Sequence, residues 1–343
     1  MFENLPDTSY NSILVVNALN GVLPIVLREA YPEARIVCGE VFPFFHEHLR
    51  SLGFEVVDWD EIDMKFDLVI GNPPYQNTHT AKRWPLWHEF VIKAKALSNQ
   101  HVALVTPNSW IGAGTSDVKA AIWESLTYCN MDVGKHFDVG STFSYFLLDV
   151  NTKSETFDVY TKKGVVTVPR TVSWLPNDIS PESIAINQKF FQTPTFGFKR
   201  GECHTSNKEN FDSSGFAVFH TNAQTLYWKR EPPNYTAYKA AISLSGYSNF
   251  KMGKDFGVSQ AAAYLLLDER EIAPAESLFS SRLFTWILQV NKWSGWNSLD
   301  VIKFLPKLPL TTEWSDNQLY EHFKLTDDEI KLIETAVTAK KPA

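Results

Sequence analysis

Hydrophobic positions in the first half of the chain follow two alternating spacings. Short, nearly continuous apolar runs, typical of buried strands, are separated by segments whose apolar residues follow helical spacing. The predicted strands are SILVVNAL, ARIVCGEV, FEVVDW, FDLVIG and HVALVTP. The predicted helices are LPIVLREAY, PFFHEHLRSLG, PLWHEFVIKAKAL and DVKAAIWESLTYC. This alternation predicts an α/β domain over residues 1–165, with a mostly parallel sheet covered on both faces.

The pattern changes near the end of this domain. Two adjacent strand signals, STFSYFLLDVN and TFDVYTKKG, are separated by the polar stretch NTKSE, which predicts a hairpin that closes the sheet with an antiparallel edge. After residue 166, prolines punctuate short aromatic strands, which indicates a separate α+β region over residues 166–343. Helical signals return in AESLFSSRLFTWILQVNKW and in a C-terminal tail, where Thr326 and Glu329 have the spacing of a capping box.

Composition narrows the class of protein. Apolar residues make up 44% of the 343 residues, enough for a buried core, and no apolar run approaches the roughly 20 residues that span a bilayer. The N-terminal stretch lacks the features of a secretory signal, so we expect a cytoplasmic protein without a membrane partner. Cys38, Cys129 and Cys203 are far apart in sequence, which indicates buried or idle thiols and no metal site. We expect a monomer or a weak dimer.

Charge is distributed unevenly along the chain. The net charge is −7, and residues 1–165 contain 13 basic and 20 acidic residues, whereas the remainder contains 19 of each. Within residues 185–260, basic residues outnumber acidic ones and alternate with aromatic residues, a pattern that suits phosphate contacts and base stacking but also occurs on an ordinary solvated face. The basic residues that we expect to contact nucleic acid are Lys199, Arg200, Lys229 and Arg230.

One short motif carries chemistry. The predicted strand FDLVIG is followed directly by Asn72, Pro73, Pro74 and Tyr75. Ligands of open parallel sheets bind beyond the carboxyl ends of the strands, so these residues should face a cleft. The Asn72 side chain and the Pro73 carbonyl offer two acceptors, the prolines hold the turn rigid, and Tyr75 offers a flat face. We interpret the motif as a clamp for an amino group on an aromatic ring.

On these residues the chain resembles the N6-adenine DNA methyltransferases. Asn-Pro-Pro-Tyr after an apolar strand is the catalytic motif of that family, and VALVTPNSWI and VGSTFSYFLLD look like its next strands. The C-terminal half is similar to the target recognition regions of restriction-modification methyltransferases. The resemblance implies a Rossmann-like class I methyltransferase fold at residues 1–165, followed by a C-terminal α+β target recognition domain with a helical tail at residues 166–343.

The resemblance also implies the reaction. S-adenosylmethionine would donate a methyl group to an adenine flipped out of duplex DNA, either in restriction-modification or in the protection of phage DNA. Asn72 and the Pro73 carbonyl would bind the adenine amine, with Pro74 holding the turn and Tyr75 stacking on the base. Phe143 is a candidate for the opposite face of that base. No metal is implied.

Cofactor residues follow from the same resemblance. Glu40 would bind the ribose hydroxyls, and Asp58, or with less support Asp60, would meet the cofactor's adenine amine; each of these acids also suits a surface role. In the family, the turn after the first strand contains an acidic residue and two or three glycines. Here Asn17 stands in the acidic place and Gly21 is the only glycine, a departure that bears on cofactor affinity.

Three functions remain open from the sequence. The first is an active, site-specific adenine methyltransferase, which the intact Asn-Pro-Pro-Tyr motif favours. The second is a methyltransferase-like DNA-binding protein whose catalysis is weakened or lost, which the glycine-poor loop favours. The third is a methyltransferase for another planar amine or amide, such as a glutamine side chain or an RNA base; the basic and aromatic second half argues against the glutamine substrate. No arrangement of residues indicates a nuclease in the same chain.

Overall fold

The computed structural model describes residues 5–75, 86–136, 142–192, 194–206, 210–245, 249–293 and 297–338. The chain forms two compact units, the first made of residues 1–111 and 115–171 and the second of residues 112–114 and 172–343. The boundary that the sequence predicts after residue 165 falls within the last strand of the first unit, and the sheet continues past it.

The first unit is built around one nine-stranded sheet. Its strands are β1 (Ser12–Val16), β2 (Arg35–Glu40), β3 (Glu55–Asp58), β4 (Phe66–Gly71), β5 (Ser98–Pro107), β6 (Leu126–Asn130), β7 (Phe143–Asp149), β8 (Thr156–Thr161) and β9 (Gly164–Pro169). Its helices are α1 (Val22–Ala30), α2 (His46–Ser51), α3 (Trp87–Leu97) and α4 (Asp117–Ser125). The central strands β1 and β4 are almost entirely buried, as their continuous apolar runs predict.

The order of the strands identifies the fold. It runs β3-β2-β1-β4-β5-β7-β6, continued by β8-β9. Strands β3, β2, β1, β4 and β5 are parallel, and β7 is antiparallel to both β5 and β6. This is the class I methyltransferase arrangement, so the α/β fold that the resemblance implies is confirmed.

The sheet does end in an antiparallel hairpin, but the two strands predicted to form it do not pair with each other. β7 and β8 follow one another in sequence but do not pair, because β6 lies between them in the sheet. The antiparallel hairpin at the edge is instead β8 with β9, in which Thr161 pairs with Gly164 across the turn. The first four residues of β6 lie within the segment predicted as a single helix, since α4 ends at Ser125 and the next five residues are extended.

The second unit is an α+β structure built on two small sheets. Its strands are β10 (Lys199–Arg200), β11 (Phe211–Thr221), β12 (Gln224–Trp228), β13 (Lys239–Ser243), β14 (Phe250–Gly253), β15 (Gly257–Val258) and β16 (Ala262–Leu266). They form a four-stranded sheet, β10-β16-β13-β14, and a three-stranded sheet, β12-β11-β15. Its helices are α5 (Pro181–Phe190), α6 (Ile272–Phe279), α7 (Arg282–Val290), α8 (Leu299–Lys303), α9 (Asp316–His322) and α10 (Asp327–Thr338).

Side-chain caps set the starts of two helices in this unit. The long helical signal near residue 280 is split because Ser281 caps a new helix, its hydroxyl accepting from the Phe284 N–H at 3.3 Å. At the last helix the predicted capping box is confirmed: the Thr326 hydroxyl accepts from the Glu329 N–H, and the Thr326 N–H donates to the Glu329 carboxylate at 2.7 Å.

Candidate functional site

Four polar residues lie side by side at the carboxyl ends of the parallel strands. In sheet order they are Asp58 at the end of β3, Glu40 at the end of β2, Asn17 directly after β1 and Asn72 directly after β4. The strand registers align these ends, since Glu40 pairs with Asp58, and Val16 pairs with both Gly39 and Gly71. We call these four residues the edge row. The fold therefore brings these four predicted site residues together at the carboxyl end of the sheet.

The turn after β1 keeps a backbone shape that normally needs glycine. Asn17 has φ 56°, Leu19 has φ 49° and Gly21 has φ 82°, so three of five consecutive residues are left-handed. Asn tolerates this region, but a leucine in it costs on the order of 1–2 kcal/mol. The loop therefore reproduces a glycine-rich conformation with only one glycine, at the expense of strain at Leu19.

Glu40 stabilises that strained turn. Its Oε2 accepts from the Leu19 N–H at 2.7 Å, and its Oε1 accepts from the N–H groups of Val41 and Phe42, both at 2.9 Å. The residue is fully buried. Glu40 is therefore not a solvated charge at a strand end. Since a carboxylate has about four acceptor positions, one remains for a further donor.

Asp58 and Asp60 differ in their setting. Asp58 is half-buried, and its Oδ1 accepts from the Asp60 N–H at 3.0 Å, which caps the short turn that follows β3. Asp60 is exposed on that turn. Of the two, Asp58 is the one in register with Glu40.

The Asn-Pro-Pro-Tyr motif is a compact turn with its own hydrogen bonds. The Tyr75 hydroxyl donates to Asn72 Oδ1, and the Asn17 amide Nδ2 donates to the Asn72 backbone carbonyl at 2.8 Å. Burial raises the pKa of Tyr75 to about 12, an effect that its hydrogen bond to Asn72 opposes, so the phenol is protonated and remains a donor at neutral pH. The predicted acceptor Oδ1 thus already has one donor, and an incoming amine must use its second lone pair or displace the phenol.

Gly71 sets the position of this turn. A Cβ added at Gly71 would lie 2.1 Å from the Val16 carbonyl oxygen, far inside contact distance. Only glycine therefore allows the end of β4 to approach β1 so closely. Pro73 is buried and, like Pro74, has no N–H, so the turn presents carbonyl groups without competing donors from these two residues.

Phe143 is not placed to cover the second face of a base. It begins β7, is 4% exposed, and its ring centroid lies 5.0 Å from that of Tyr75. The two rings pack against each other in the core on one side of the sheet, so no base fits between them in this conformation. The expectation for Phe143 is therefore corrected: it supports the Tyr75 ring from behind.

Two features of the site are not evident from the sequence. The first is the hydrogen bond from Asn17 to the Asn72 carbonyl, because Asn17 stands out only as a departure from the family pattern. The second is Asn108, which follows β5 and is 3% exposed; its Oδ1 has no hydrogen-bond partner within the described ranges. The polar turn Thr-Pro-Asn-Ser-Trp after an apolar strand is the signal that points to Asn108.

The four basic residues predicted to contact nucleic acid are all exposed in the second unit. Lys199 and Arg200 form β10, an edge strand of the four-stranded sheet, and Lys229 and Arg230 follow β12, an edge strand of the three-stranded sheet. The Arg200 Nε donates to the Gln260 carbonyl at 2.7 Å, which fixes the stem of its side chain. The structure thus leaves these charges open to solvent on two sheet edges.

Other basic residues of this unit are not available in the same way. Lys239 is 1% exposed, and its ammonium donates to the carbonyls of Tyr235, Ala237 and Phe256 at 2.6–3.2 Å. Burial lowers the pKa of Lys239 to about 8. Lys189 pairs with the buried Glu329 at 2.7 Å. The charged groups of these two lysines are therefore bound within the protein, and we exclude them from the candidate residues for contacts with nucleic acid.

The first turn fits S-adenosylmethionine on two observations. Its backbone has the left-handed conformations that let a turn approach a ligand closely, and the buried Asn17 Oδ1 lacks a donor within the described part of the chain. The edge row supplies acidic groups on one side, Asp58 and Glu40, and the acceptor clamp on the other.

Two other features are absent from the described residues. No group of three or more His, Cys, Asp or Glu side chains among them is arranged to hold a metal ion. None of the described helices has the length and apolar character needed to cross a bilayer.

Comparison with known families finds a match over part of the chain. Residues 40–131, which include Asn72–Tyr75, match the model of the Eco57I restriction-modification methylase family. No curated protein sequence matches the chain. The sheet order and this match together support a methyltransferase of the restriction-modification type that uses S-adenosylmethionine.

Several solved structures resemble part of the chain. A protein from Thermoplasma acidophilum has a TM-score of 0.31 at 17% identity, over 41% of this chain and 79% of its own. A predicted O-methyltransferase from Agrobacterium tumefaciens has a TM-score of 0.32 at 14% identity, over 43% and 78%. A ribosomal protein L11 methylase from Lactobacillus delbrueckii has a TM-score of 0.31 at 10% identity, over 43% and 73%. The assignment of the fold rests on the strand order and not on these likenesses.

Replacing Glu40 by alanine should affect both stability and cofactor binding. The change removes three hydrogen bonds to a carboxylate and leaves the strained Leu19 unsupported, so we expect a loss of about 3 kcal/mol in the free energy of unfolding. Affinity for S-adenosylmethionine, measured by calorimetry at a temperature where the variant is folded, should fall at least about tenfold, or 1.4 kcal/mol.

Glu55→Ala is the matched control for this prediction. Glu55 lies on the neighbouring strand β3 and forms an exposed ion pair with Arg35 at 2.6 Å, a contact worth less than about 1 kcal/mol. Its removal should leave cofactor affinity unchanged. If Glu40→Ala behaves like Glu55→Ala in both measurements, Glu40 neither supports the turn nor contributes to the cofactor site.

Proposed function

We propose that this protein is a site-specific DNA methyltransferase that transfers a methyl group from S-adenosylmethionine to N6 of an adenine flipped out of duplex DNA. The observation that carries the proposal is the Asn72–Tyr75 turn at the carboxyl end of β4, beside the turn that follows β1. The match to a restriction-modification methylase family favours DNA as the substrate, in restriction-modification or in protection of phage DNA.

The clamp residues act on the acceptor amine. Asn72 Oδ1 and the Pro73 carbonyl accept hydrogen bonds from the two N–H groups of the amine. These hydrogen bonds orient the nitrogen lone pair and raise the electron density on the nitrogen. S-adenosylmethionine, when bound, supplies the electrophilic methyl group. Because the nitrogen gains its new bond before it must lose a proton, the clamp needs no general base, and the proton can leave to water.

Tyr75 has two roles in this proposal. Its ring, supported from behind by Phe143, offers one face for stacking on the extruded base, which compensates part of the few kcal/mol that unstacking costs. Its hydroxyl holds Asn72 Oδ1 in place before the substrate arrives. An adenine amine that enters the clamp therefore replaces or shares a hydrogen bond that the protein already makes.

A second candidate function rests on Glu40. The carboxylate that should hold the ribose is fully buried and bound to three backbone N–H groups, and two left-handed positions of the turn lack glycine. These observations favour a methyltransferase-like DNA-binding protein whose catalysis is weakened or lost. Such a protein would bind duplex DNA through its second unit and would show little or no affinity for S-adenosylmethionine.

Asn72→Ala should abolish methyl transfer and leave cofactor affinity within a few fold. Of the two ligands, the removed acceptor contacts only the substrate amine, so at least about a hundredfold loss in kcat is expected. The assay follows tritiated methyl groups from S-adenosylmethionine into unmethylated plasmid DNA, and mass spectrometry of the digested DNA identifies the methylated base.

Two variants control this experiment. Asn151→Ala makes the same change in an exposed turn after β7 and should be indistinguishable from wild type. Tyr75→Phe keeps the ring but loses the hydroxyl, and should retain far more activity than Asn72→Ala. Methylation by Asn72→Ala near the wild-type rate contradicts the clamp, and a methylated base other than adenine contradicts the proposed substrate.

DNA affinity should depend on the exposed basic residues of the second unit. The first unit is acidic, so phosphate contacts must be concentrated elsewhere. Neutralising contact residues should weaken binding to every sequence and lower the slope of log affinity against log salt by about one unit per contact. The variant to measure across a salt series carries alanine at Lys199, Arg200, Lys229 and Arg230.

A control variant with the same change in charge separates contacts from net charge. It carries alanine at four exposed lysines outside this surface, namely Lys65, Lys153, Lys162 and Lys331. The control should keep the wild-type salt slope. Equal slopes for the two variants would show that the basic residues on the two sheet edges do not contact DNA.

A further inference from the structure

Asn17 connects the first turn to the acceptor clamp. It follows β1, and its Nδ2 donates to the backbone carbonyl of Asn72, which follows the neighbouring strand β4, at 2.8 Å. The orientation of the amide is fixed by this contact, because rotating it by 180° would place two oxygen acceptors against each other. The contact therefore requires a side chain that carries a donor at this position.

The clamp needs an external donor of this kind. Pro73 and Pro74 lack an N–H, so the two residues that follow Asn72 cannot anchor the turn by donating hydrogen bonds. Tyr75 holds the Asn72 side chain, and Asn17 holds the Asn72 main chain, so together they fix both oxygens of that residue. Losing the Asn17 contact would remove the donor that holds the Asn72 carbonyl, which directly precedes Pro73.

An acid in this position could not make the same contact. A carboxylate at Asn17 would place a negatively charged oxygen against the Asn72 carbonyl, at a distance suited to a hydrogen bond but with no hydrogen between them. The other end of the side chain, Oδ1, is buried and has no donor within the described ranges, so the second oxygen of a carboxylate would be buried there without a hydrogen bond from these residues.

We propose that Asn17 is a positioning residue for the acceptor clamp, and that its amide is required where the related methyltransferases have an acid. The proposal rests on the proposed function, because the clamp acts on the acceptor amine. It makes a counterintuitive prediction: restoring the acid of the family pattern lowers the rate of methyl transfer, because the donor to Asn72 is lost.

The experiment compares Asn17→Asp, Asn17→Ala and a matched control, Asn151→Asp. Asn151 makes the same kind of contact at the opposite end of the sheet, its Nδ2 donating to the Asn99 carbonyl at 2.8 Å, but it is exposed. Methyl transfer to plasmid DNA is measured with the full chain from about pH 5.5 to pH 8.5. At pH 8 and saturating S-adenosylmethionine, Asn17→Asp should lose at least about tenfold in kcat, whereas Asn151→Asp should match wild type.

The pH profile distinguishes positioning from a general structural role. A protonated carboxyl can donate to the Asn72 carbonyl, and burial without a positive partner raises the pKa of the introduced carboxyl. The ratio of Asn17→Asp to wild-type activity should therefore rise as the pH falls. Asn17→Ala has no proton to gain, so its ratio to wild type should stay flat.

A second readout does not depend on activity. The folded state of Asn17→Asp should have a carboxyl pKa above the unfolded value of about 3.9, so its stability relative to wild type is highest below that value and is lost as the pH rises through the folded-state pKa. Denaturant unfolding at several pH values measures this slope. The exposed carboxyl in Asn151→Asp should give a much smaller slope.

The outcomes separate this proposal from the proposed function. If wild type transfers no methyl group to DNA, the proposed function fails, and the unfolding measurements alone decide the role of Asn17. If Asn17→Asp keeps the wild-type kcat at pH 8, or if its stability has the same pH slope as Asn151→Asp, the contact to Asn72 does not position the clamp and the inference is overturned.

Discussion

The site depends on how closely the end of β4 approaches the end of β1. Gly71 is the residue that permits this approach, because any side chain there would collide with the Val16 carbonyl. As a result Asn72 lies within hydrogen-bond distance of Asn17, and the turn that should hold the cofactor is joined to the turn that should hold the acceptor. Methyl transfer needs both ligands held in one fixed geometry, and the hydrogen bond from Asn17 to Asn72 ties the two candidate turns together.

Glu40 and Leu19 show how the first turn keeps its shape without glycines. The left-handed backbone at Leu19 costs on the order of 1–2 kcal/mol, and a hydrogen bond from its N–H to a buried carboxylate contributes a similar amount. The same carboxylate is the one expected to meet the ribose. If the ribose also binds Glu40, it must do so beside the three backbone N–H groups that this carboxylate already accepts.

Sequence patterns predicted the parallel half of the sheet but not all of its partners. The central parallel strands are short apolar runs typical of a buried sheet, so local sequence suffices for them. The residues of β6 continue the helical pattern of α4, so the sequence does not separate them. The insertion of β6 between β7 and β8 depends on tertiary pairing that no local signal reports. In the site, Asn72–Tyr75 follow from a distinctive motif, whereas the burial of Glu40 depends on the φ of Leu19, and the packing of Phe143 against Tyr75 depends on β7 lying beside β5.

The most direct test of this account is a calorimetric titration of the full chain with S-adenosylmethionine. The account holds that the edge row forms a cofactor site although its first turn has only one glycine. It predicts saturable binding with one site per chain and a Kd in the micromolar range. Absence of detectable binding, both to the chain alone and in the presence of plasmid DNA, would contradict it.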